Sequence, residues 1–369
     1  MAARRPRIGI DARRVQDGGI GRYVAALLRL LPVEAPDCEF VAFGNADQQG
    51  VLLSLSRDLE FRKVRGAGYN PLGEWALQRA AGAAGLDLLH IPHYAVPPRT
   101  PTRLVVTVHD LIHWRYPRTA LHQRYCRHML ARVRRDASLV LAVSEAGGHD
   151  LEVTAGIPGD RIRVVANGVD PSFANPPTAD ETRVFLHRMR LSGPYALNVT
   201  NGLPHKGLDV LAAAMRQIRG LQLLVMGQGS DRTAVHRVLA AAGVGEDRVR
   251  VLGAVSEREM RMLYAGARLA VVASRYEGFG LPALEAMAAG VPVVATRAGG
   301  LPEVVGSAGR LVEPEAIAPM AKAIYSLAFE TEAAERERIV AEGRQHAARF
   351  SWTRTARLTA AAYRRALEG

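Results

Sequence analysis

Short apolar runs alternate with stretches of helical periodicity along most of the chain. In the first half the pattern predicts strands at Arg7–Asp11, Glu39–Gly44, Leu86–Ile91, Arg103–Val108 and Ser138–Val143, with helices near 20–31, 73–84 and 121–135. In the second half it predicts strands at Tyr195–Thr200, Leu221–Met226, Val249–Leu252, Leu269–Ala273 and Pro292–Ala295. Helices are predicted there near 206–218, 231–242, 257–266 and 282–289. Runs such as Leu139–Val143 and Leu269–Ala273 show no polar alternation. A strand apolar on both sides suits a parallel sheet with helices on both faces. Alternation of strand and helix predicts α/β architecture.

The chain has 369 residues, more than one core usually accommodates, so two domains are expected. The periodicity breaks at PSFANPPTAD, residues 171–180, a stretch rich in Pro and polar residues. This places an N-terminal domain at 1–175 and a C-terminal domain at 176–350. The tail is helical, and its last piece, 351–369, begins with Ser351 as a helix N-cap. The pattern suits two doubly wound sheets, whose ligands bind outside the carboxyl ends of the strands.

Composition is ordinary for a globular protein, with 48% hydrophobic and 23% charged residues. No apolar run reaches the roughly 18 residues of a transmembrane helix. The opening MAARRPRIGIDARR has charge but no apolar core, so no secretory signal is read. The two cysteines, Cys38 and Cys126, lack metal-ligand spacing and are expected as reduced thiols of a cytoplasmic protein. Charge changes the picture more. The net charge is +12, and residues 99–135 hold nine Arg against Asp110 alone, a net +8. Anionic partners follow: nucleic acid, phosphorylated small molecules or an acidic membrane face.

The richest stretch is SRYEGFGLPALEAMAAGVPVVATRAGGLPE, residues 274–303, directly after a predicted strand. Gly278 and Gly280, lacking a Cβ, let the backbone approach a ligand closely. Pro282 suits a first helical turn. A helix start offers free N–H groups and partial positive charge, which suit phosphate. Glu277 lies before the turn and Glu285 one turn inside the helix. Two carboxylates so placed can accept hydrogen bonds from sugar hydroxyls on either side of a bound phosphate. The alternative is a surface Glu beside a tight turn.

Other segments sit at strand ends. In Pro204-His205-Lys206-Gly207 a lysine stands at a helix start, where the dipole disfavours a cation. A diphosphate bound there would resolve that conflict; otherwise Lys206 is an exposed turn lysine. Asp17-Gly18-Gly19-Ile20-Gly21 lies between strand and helix, where Gly18 and Gly19 permit close approach to a substrate or form a flexible loop. Its spacing is not the dinucleotide fingerprint. Met226-Gly227-Gln228-Gly229-Ser230 reads as a turn near a ligand or as a structural turn. Thr107-Val108-His109-Asp110 ends a buried strand, and His109 is a candidate sugar or acceptor ligand, or a structural histidine. The segment 121–135 carries Leu121, Tyr125, Met129 and Val133 every four residues, with Arg124, Arg127, Arg132 and Arg134 on the other faces. It reads first as a core-facing helix with a solvated basic face. The second reading is peripheral association of residues 113–135 with anionic lipid at the inner face of a membrane.

Asp-x-Asp, GxxxxGK[ST], HExxH and GxSxG are all absent. This argues against the usual carboxylate cage for a sugar-nucleotide metal, and against a P-loop kinase, a zincin and an α/β-hydrolase.

The block above, with PHKGLDVL, GIGRY, VTVHDLIHWRYP, VSEAGGHDL and VVANGVDPSF, resembles the retaining GT-B glycosyltransferases of family 4 over nearly the whole chain. Bacterial mannosyltransferases of surface polysaccharides are the nearest in character. The resemblance implies an α/β, GT-B fold, two Rossmann-like doubly wound domains facing across a cleft, with the last helix returning to the N-terminal domain. It implies a nucleotide-diphosphate sugar donor, GDP-mannose as first choice. The acceptor would be a glycan, a lipid-linked sugar or a small molecule. No cofactor, metal or nucleic acid is expected. Lys206 would contact the diphosphate, Glu277 the donor sugar and Glu285 the ribose. Backbone amides of Gly278, Phe279, Gly280 and Leu281 would touch sugar and phosphate. Gly18 and Gly19 would lie near the diphosphate and acceptor, Gly227 near the donor, and His109 near the donor sugar. His109, Lys206 and Glu277 are thus the expected catalytic set.

One departure stands out. Many members carry an Arg shortly before the Lys, where this chain has Asn198-Val199-Thr200-Asn201. Either Thr200 and Asn201 bind the phosphate or a cation from elsewhere does. Another GT-B sugar-nucleotide enzyme, such as an epimerase, is the neighbouring alternative. A nucleic-acid-binding protein is the alternative from another class, and the basic segment lacks the interleaved aromatics it would need.

Overall fold

The computed structural model describes residues 4–66, 68–100, 102–227 and 232–368. The chain divides into two compact units, one up to Gly168 together with the chain from Ser351, the other Val169–Phe350. The boundary falls earlier than 175. The proline-rich stretch belongs to the second unit, where Pro171–Phe173 forms a turn of 3-10 helix and Phe173 packs edge-on against Tyr264 at 5.6 Å.

The described residues of the first unit form a seven-stranded parallel sheet of β1 (Arg7–Asp11), β2 (Glu39–Gly44), β3 (Leu59–Lys63), β4 (Leu88–Ile91), β5 (Arg103–Val108), β6 (Leu139–Ala142) and β7 (Ile162–Val164), in the order β3-β2-β1-β4-β5-β6-β7. The second unit has six parallel strands, β8 (Tyr195–Val199), β9 (Gln222–Met226), β10 (Val249–Val251), β11 (Leu269–Val272), β12 (Val293–Thr296) and β13 (Arg310–Val312), in the order β10-β9-β8-β11-β12-β13. Both are doubly wound. Chain direction across the sheet reverses between β1 and β4 and between β8 and β11. Those two switch points, at the carboxyl ends, are where such sheets bind ligands.

The middle strands β4, β6, β11 and β12 are buried along their whole length, as their unbroken apolar runs demand. β3, β7 and β13 escape the sequence pattern because they are short, edge-like and polar. The helix Gly18–Glu34 buries Val24, Leu27, Leu28 and Leu31 on one stripe. The last helix, Trp352–Glu368, lies against it with small residues, Ala356, Ala360, Ala362 and Ala366, around a fully buried Tyr363. Ser351 caps this helix as expected, its Oγ accepting from the Arg354 N–H at 3.2 Å.

The helix Ala120–Asp136 corrects one expectation. Leu121 is 76% exposed, so the four-residue stripe is buried only in its second half, at Met129 and Val133. Burial falls on Cys126, Met129, Leu130, Arg132 and Val133. Arg132 turns inward because its guanidinium reaches the Pro97 carbonyl. Among the described residues no helix is long and apolar enough to cross a membrane.

Candidate functional site

The switch point of the second sheet is assembled from main chain. β8 and β11 pair only as far as Leu197 and Ala270. Beyond that the strands part, and Asn198 spans the gap, donating from Nδ2 to the Val271 carbonyl at 2.9 Å. The first residue of the stretch that lacks the family's Arg is thus a stitch between strands. Thr200 Oγ1 accepts from the Gly202 N–H at 3.1 Å and Asn201 Oδ1 from the Leu203 N–H at 3.3 Å. Both side chains shape the loop that delivers Lys206.

Lys206 lies in a 3-10 turn, Pro204–Lys206, just ahead of the helix Leu208–Arg216. Gly207 links them with φ +61°, and a Cβ there would sit 2.0 Å from the Ala273 carbonyl oxygen. Only glycine lets the turn dock on the end of β11. The neighbouring His205 imidazole is buried, and that burial, with the Lys206 charge, lowers its pKa to about 4.

From β11 the chain runs into Ser274–Gly280. Lys206 Nζ meets Glu277 Oε2 at 2.7 Å, and Ser274 Oγ donates to the same oxygen at 2.9 Å. The side chains of Lys206 and Glu277 keep 18% and 13% exposure, so the pair is not sealed from solvent. The Gly299-Gly300 turn closes on the same loop: the Gly300 N–H donates to the Glu277 carbonyl at 2.9 Å, and a Cβ on Gly299 would lie 2.0 Å from that oxygen. Gly278 is buried, and Gly280, at φ +111°, starts the helix Leu281–Ala288. Phe279 is buried and packs its ring against Phe350, with centroids 5.8 Å apart. Glu285 lies on that helix with 3% exposure, and its Oε2 accepts from the Tyr264 hydroxyl at 3.0 Å. Gly227 follows β9, and a Cβ there would meet the Thr200 carbonyl at 2.0 Å. Gln228, Gly229 and Ser230 lie outside the described residues.

The structure thus joins Lys206 to Glu277 directly, through residues 71 apart in sequence. Sequence reasoning missed Tyr264 and Arg275. Arg275 was legible only as the residue two before Glu277. A cavity of about 1120 Å³ also opens in this unit. Its lining includes Leu191, Ala265 and Gly290, which precede β8, β11 and β12, so it lies at the amino ends of the strands, away from this chemistry.

The switch point of the first sheet is assembled from side chains. Gly18 and Gly19 are exposed and form the first turn of the helix Gly18–Glu34 rather than a separate loop; Gly18 has φ +45° and open space where a Cβ would be. Asp11, at the end of β1, is fully buried and accepts from Arg13 through both oxygens at 2.8 Å. Arg13 also meets Glu74 at 3.2 Å, and His93 Nε2 lies 3.1 Å from Asp11. Burial alone would raise the Asp11 carboxyl, but the Arg13 charge outweighs it and holds Asp11 well below the carboxylate range. Burial raises Glu74 despite the same arginine.

His109 follows β5. Burial lowers its pKa to about 4, although a hydrogen bond to the Pro92 carbonyl acts the other way. Its Nε2 is buried without a partner. The ring is therefore neutral near pH 7 and presents a lone pair. Tyr23 packs edge-on against it at 4.9 Å. The Tyr23 hydroxyl meets Thr107 Oγ1 at 2.9 Å, Thr107 meets His90 at 2.8 Å, and His90 meets the Tyr363 hydroxyl of the last helix at 2.6 Å. This buried chain holds β5, which carries His109, to the two helices beside it.

Residues 17–173 match the model of glycosyltransferase family 4, and residues 194–329 that of the glycosyl transferases group 1. The chain is 30% identical to the O-antigen chain mannosyltransferase B of Escherichia coli, over 94% of this chain and 96% of that protein. It is 32% identical to an MMP alpha-(1→4)-mannosyltransferase of Mycolicibacterium hassiacum, over 77% of this chain and 69% of that protein. Its fold superposes with a TM-score of 0.77 and 20% identity on Anabaena HepE, solved in complex with UDP-glucose, over 97% of this chain and 99% of that one. The chain belongs to glycosyltransferase family 4, with the GT-B fold. Its activity is glycosyl transfer.

Proposed function

We propose that the protein moves a hexose, mannose by first choice, from a nucleotide-diphosphate sugar to an acceptor hydroxyl on a glycan, a lipid-linked sugar or a small molecule, with retention of anomeric configuration. The observation that carries this reading is the 2.7 Å contact of Lys206 with Glu277, set among glycine turns at a sheet switch point. The relatives named as mannosyltransferases support the choice of sugar, and UDP-glucose bound by HepE supports a nucleotide-sugar donor.

In this reading the ion pair is the resting state of the donor site. An incoming diphosphate takes Lys206, and Glu277 turns its oxygens to the sugar hydroxyls. The anomeric carbon–oxygen bond to phosphate breaks as the acceptor oxygen bonds to the same face of the carbon. The departing diphosphate takes the acceptor's proton. Lys206 and the positive end of the Leu281–Ala288 helix offset the growing negative charge, where such fixed charges and dipoles act most strongly. No metal or cofactor enters this scheme. Glu285 holds the ribose, and His109, neutral and with an open Nε2, accepts from a hydroxyl rather than binding phosphate.

A thermal-shift panel of GDP-, UDP-, dTDP- and ADP-sugars tests the donor, since a ligand of the folded state raises the melting temperature by mass action. GDP-mannose is expected to give the largest rise; no rise with any of the four would sink the reading. Product analysis by NMR tests the stereochemistry, and an inverted anomer would overturn retention.

A further inference from the structure

Arg275 stands between Ser274 and Glu277 and touches no ligand-facing atom, yet its guanidinium is used completely. Nη1 donates to the Pro204 carbonyl at 2.7 Å and to Asp209 Oδ1 at 2.8 Å. Nη2 donates to Asp209 Oδ2 at 2.7 Å and to Glu315 Oε2 at 3.1 Å, and Nε to Glu315 Oε1. A guanidinium has five N–H donors in one plane, and all five are engaged. The Arg275 backbone N–H adds a bond to the His205 carbonyl at 2.7 Å.

These bonds converge on one object, the turn that carries Lys206. Pro204 and His205 are grasped by their carbonyls, and Asp209 lies in the first turn of the next helix. Glu315 is held in the left-handed region at φ +66°. A non-glycine residue there costs about 1–3 kcal/mol and persists only where its surroundings demand it. The Asp209 and Glu315 side chains are 56% and 58% exposed. Water screens such pairs, so their worth to overall stability is small. What the cluster supplies is position.

We propose that Arg275 is a positioning residue for donor binding: it locks the Pro204–Gly207 turn against the Ser274–Glu277 loop and so sets where the Lys206 ammonium meets the diphosphate. It acts through Lys206 and does not replace the family's missing arginine as a phosphate ligand, because it has no free N–H to give. Lysine cannot substitute, since its three donors radiate from one atom and cannot span Pro204, Asp209 and Glu315 at once.

The inference rests on the donor reading given above, and a double-mutant cycle separates the two. Arg275→Ala, Arg275→Lys, Lys206→Ala and Lys206→Ala/Arg275→Ala are titrated calorimetrically with GDP, UDP, dTDP and ADP, and their melting temperatures are recorded. With the nucleotide that binds wild type tightest, Arg275→Ala and Arg275→Lys are each expected to weaken binding roughly 10- to 100-fold, within the range of coupling between residues of one hydrogen-bond network. In the Lys206→Ala background the same change is expected to cost less than about 2-fold, because residues that act through one another are not additive. Glu315→Gln, at an exposed partner, is expected to give a smaller loss with an unchanged melting temperature. An equal loss in both backgrounds, or full rescue by Arg275→Lys, would overturn the inference. If Lys206→Ala itself binds nucleotide like wild type, the donor reading fails instead.

Discussion

At the ends of β8 and β11, glycines 207 and 299 bring backbone within contact distance of backbone, and two charged side chains, Lys206 and Glu277, stand in the space left over. At the ends of β1 and β4 the corresponding space is filled by buried side chains bound to one another: Asp11, Arg13, Glu74 and His93. The strand order is the same in both sheets apart from the extra edge strand β7 of the first. The difference lies in what a mutation removes. In the second unit a side chain can be lost while the main-chain frame stands. In the first unit the side chains are the frame, and taking away Arg13 leaves two buried carboxyl groups behind.

The largest expected effect tests the second unit. Lys206→Ala should lower turnover by roughly two to four orders of magnitude, with circular dichroism and melting temperature near wild type. Near-normal turnover would refute the role given to Lys206. The first unit should show the opposite. Arg13→Ala leaves Asp11 and Glu74 buried without their countercharge and should cost about 3–5 kcal/mol in urea unfolding; a loss under about 1 kcal/mol would show that the cluster is not structural.

Gly207→Ala asks whether the second frame is really main chain. The added Cβ collides with the Ala273 carbonyl at a φ of +61°, so a loss of about 1–3 kcal/mol is expected, together with weakened donor binding. Wild-type stability in that variant would mean that the turn does not dock as described.

Acid sharpens the contrast further. His90 is lowered to about 3 and His109 to about 4, both by burial, and His205 to about 4. Each is neutral when folded and takes up a proton near its ordinary value, about 6.5, when unfolded. Their stabilisation is therefore complete above that value and is lost as pH falls from there toward 4. Two of the three belong to the first unit, whose melting should fall more steeply between pH 7 and 5; equal slopes for the two units would contradict this. The smallest effect is expected from Tyr363→Phe, which removes one buried partner of His90 and should cost about 1–2 kcal/mol by chemical denaturation.

The same difference explains what could be read from sequence. A site made by turns must spell them out in consecutive glycines and prolines, so residues 274–303 and 204–207 could be recognised before any fold was known. Asp11 and Arg13 are two residues apart, but Glu74 and His93 come from two other places, and nothing in their local spacing joins them to that pair; only the sheet order does. Tyr264 reads as an ordinary helix residue until its hydroxyl is seen on Glu285. Thr200 and Asn201 were legible as polar residues near a phosphate, but their use in shaping the loop depends on backbone N–H groups that sequence does not display. The strand β3, Leu59–Lys63, was missed because its burial comes from one neighbour, β2, and not from a long apolar run.

The return of the helix Trp352–Glu368 to the first unit has a consequence for how the molecule is made. A chain emerging from the ribosome usually folds its domains in the order of synthesis. Here the second unit, an unbroken 169–350, is fully synthesised while the first still lacks Tyr363 and the alanines that close its core. The unit begun first is the unit finished last, and a chain cut short after residue 350 would hold an intact second unit and a permanently open first one.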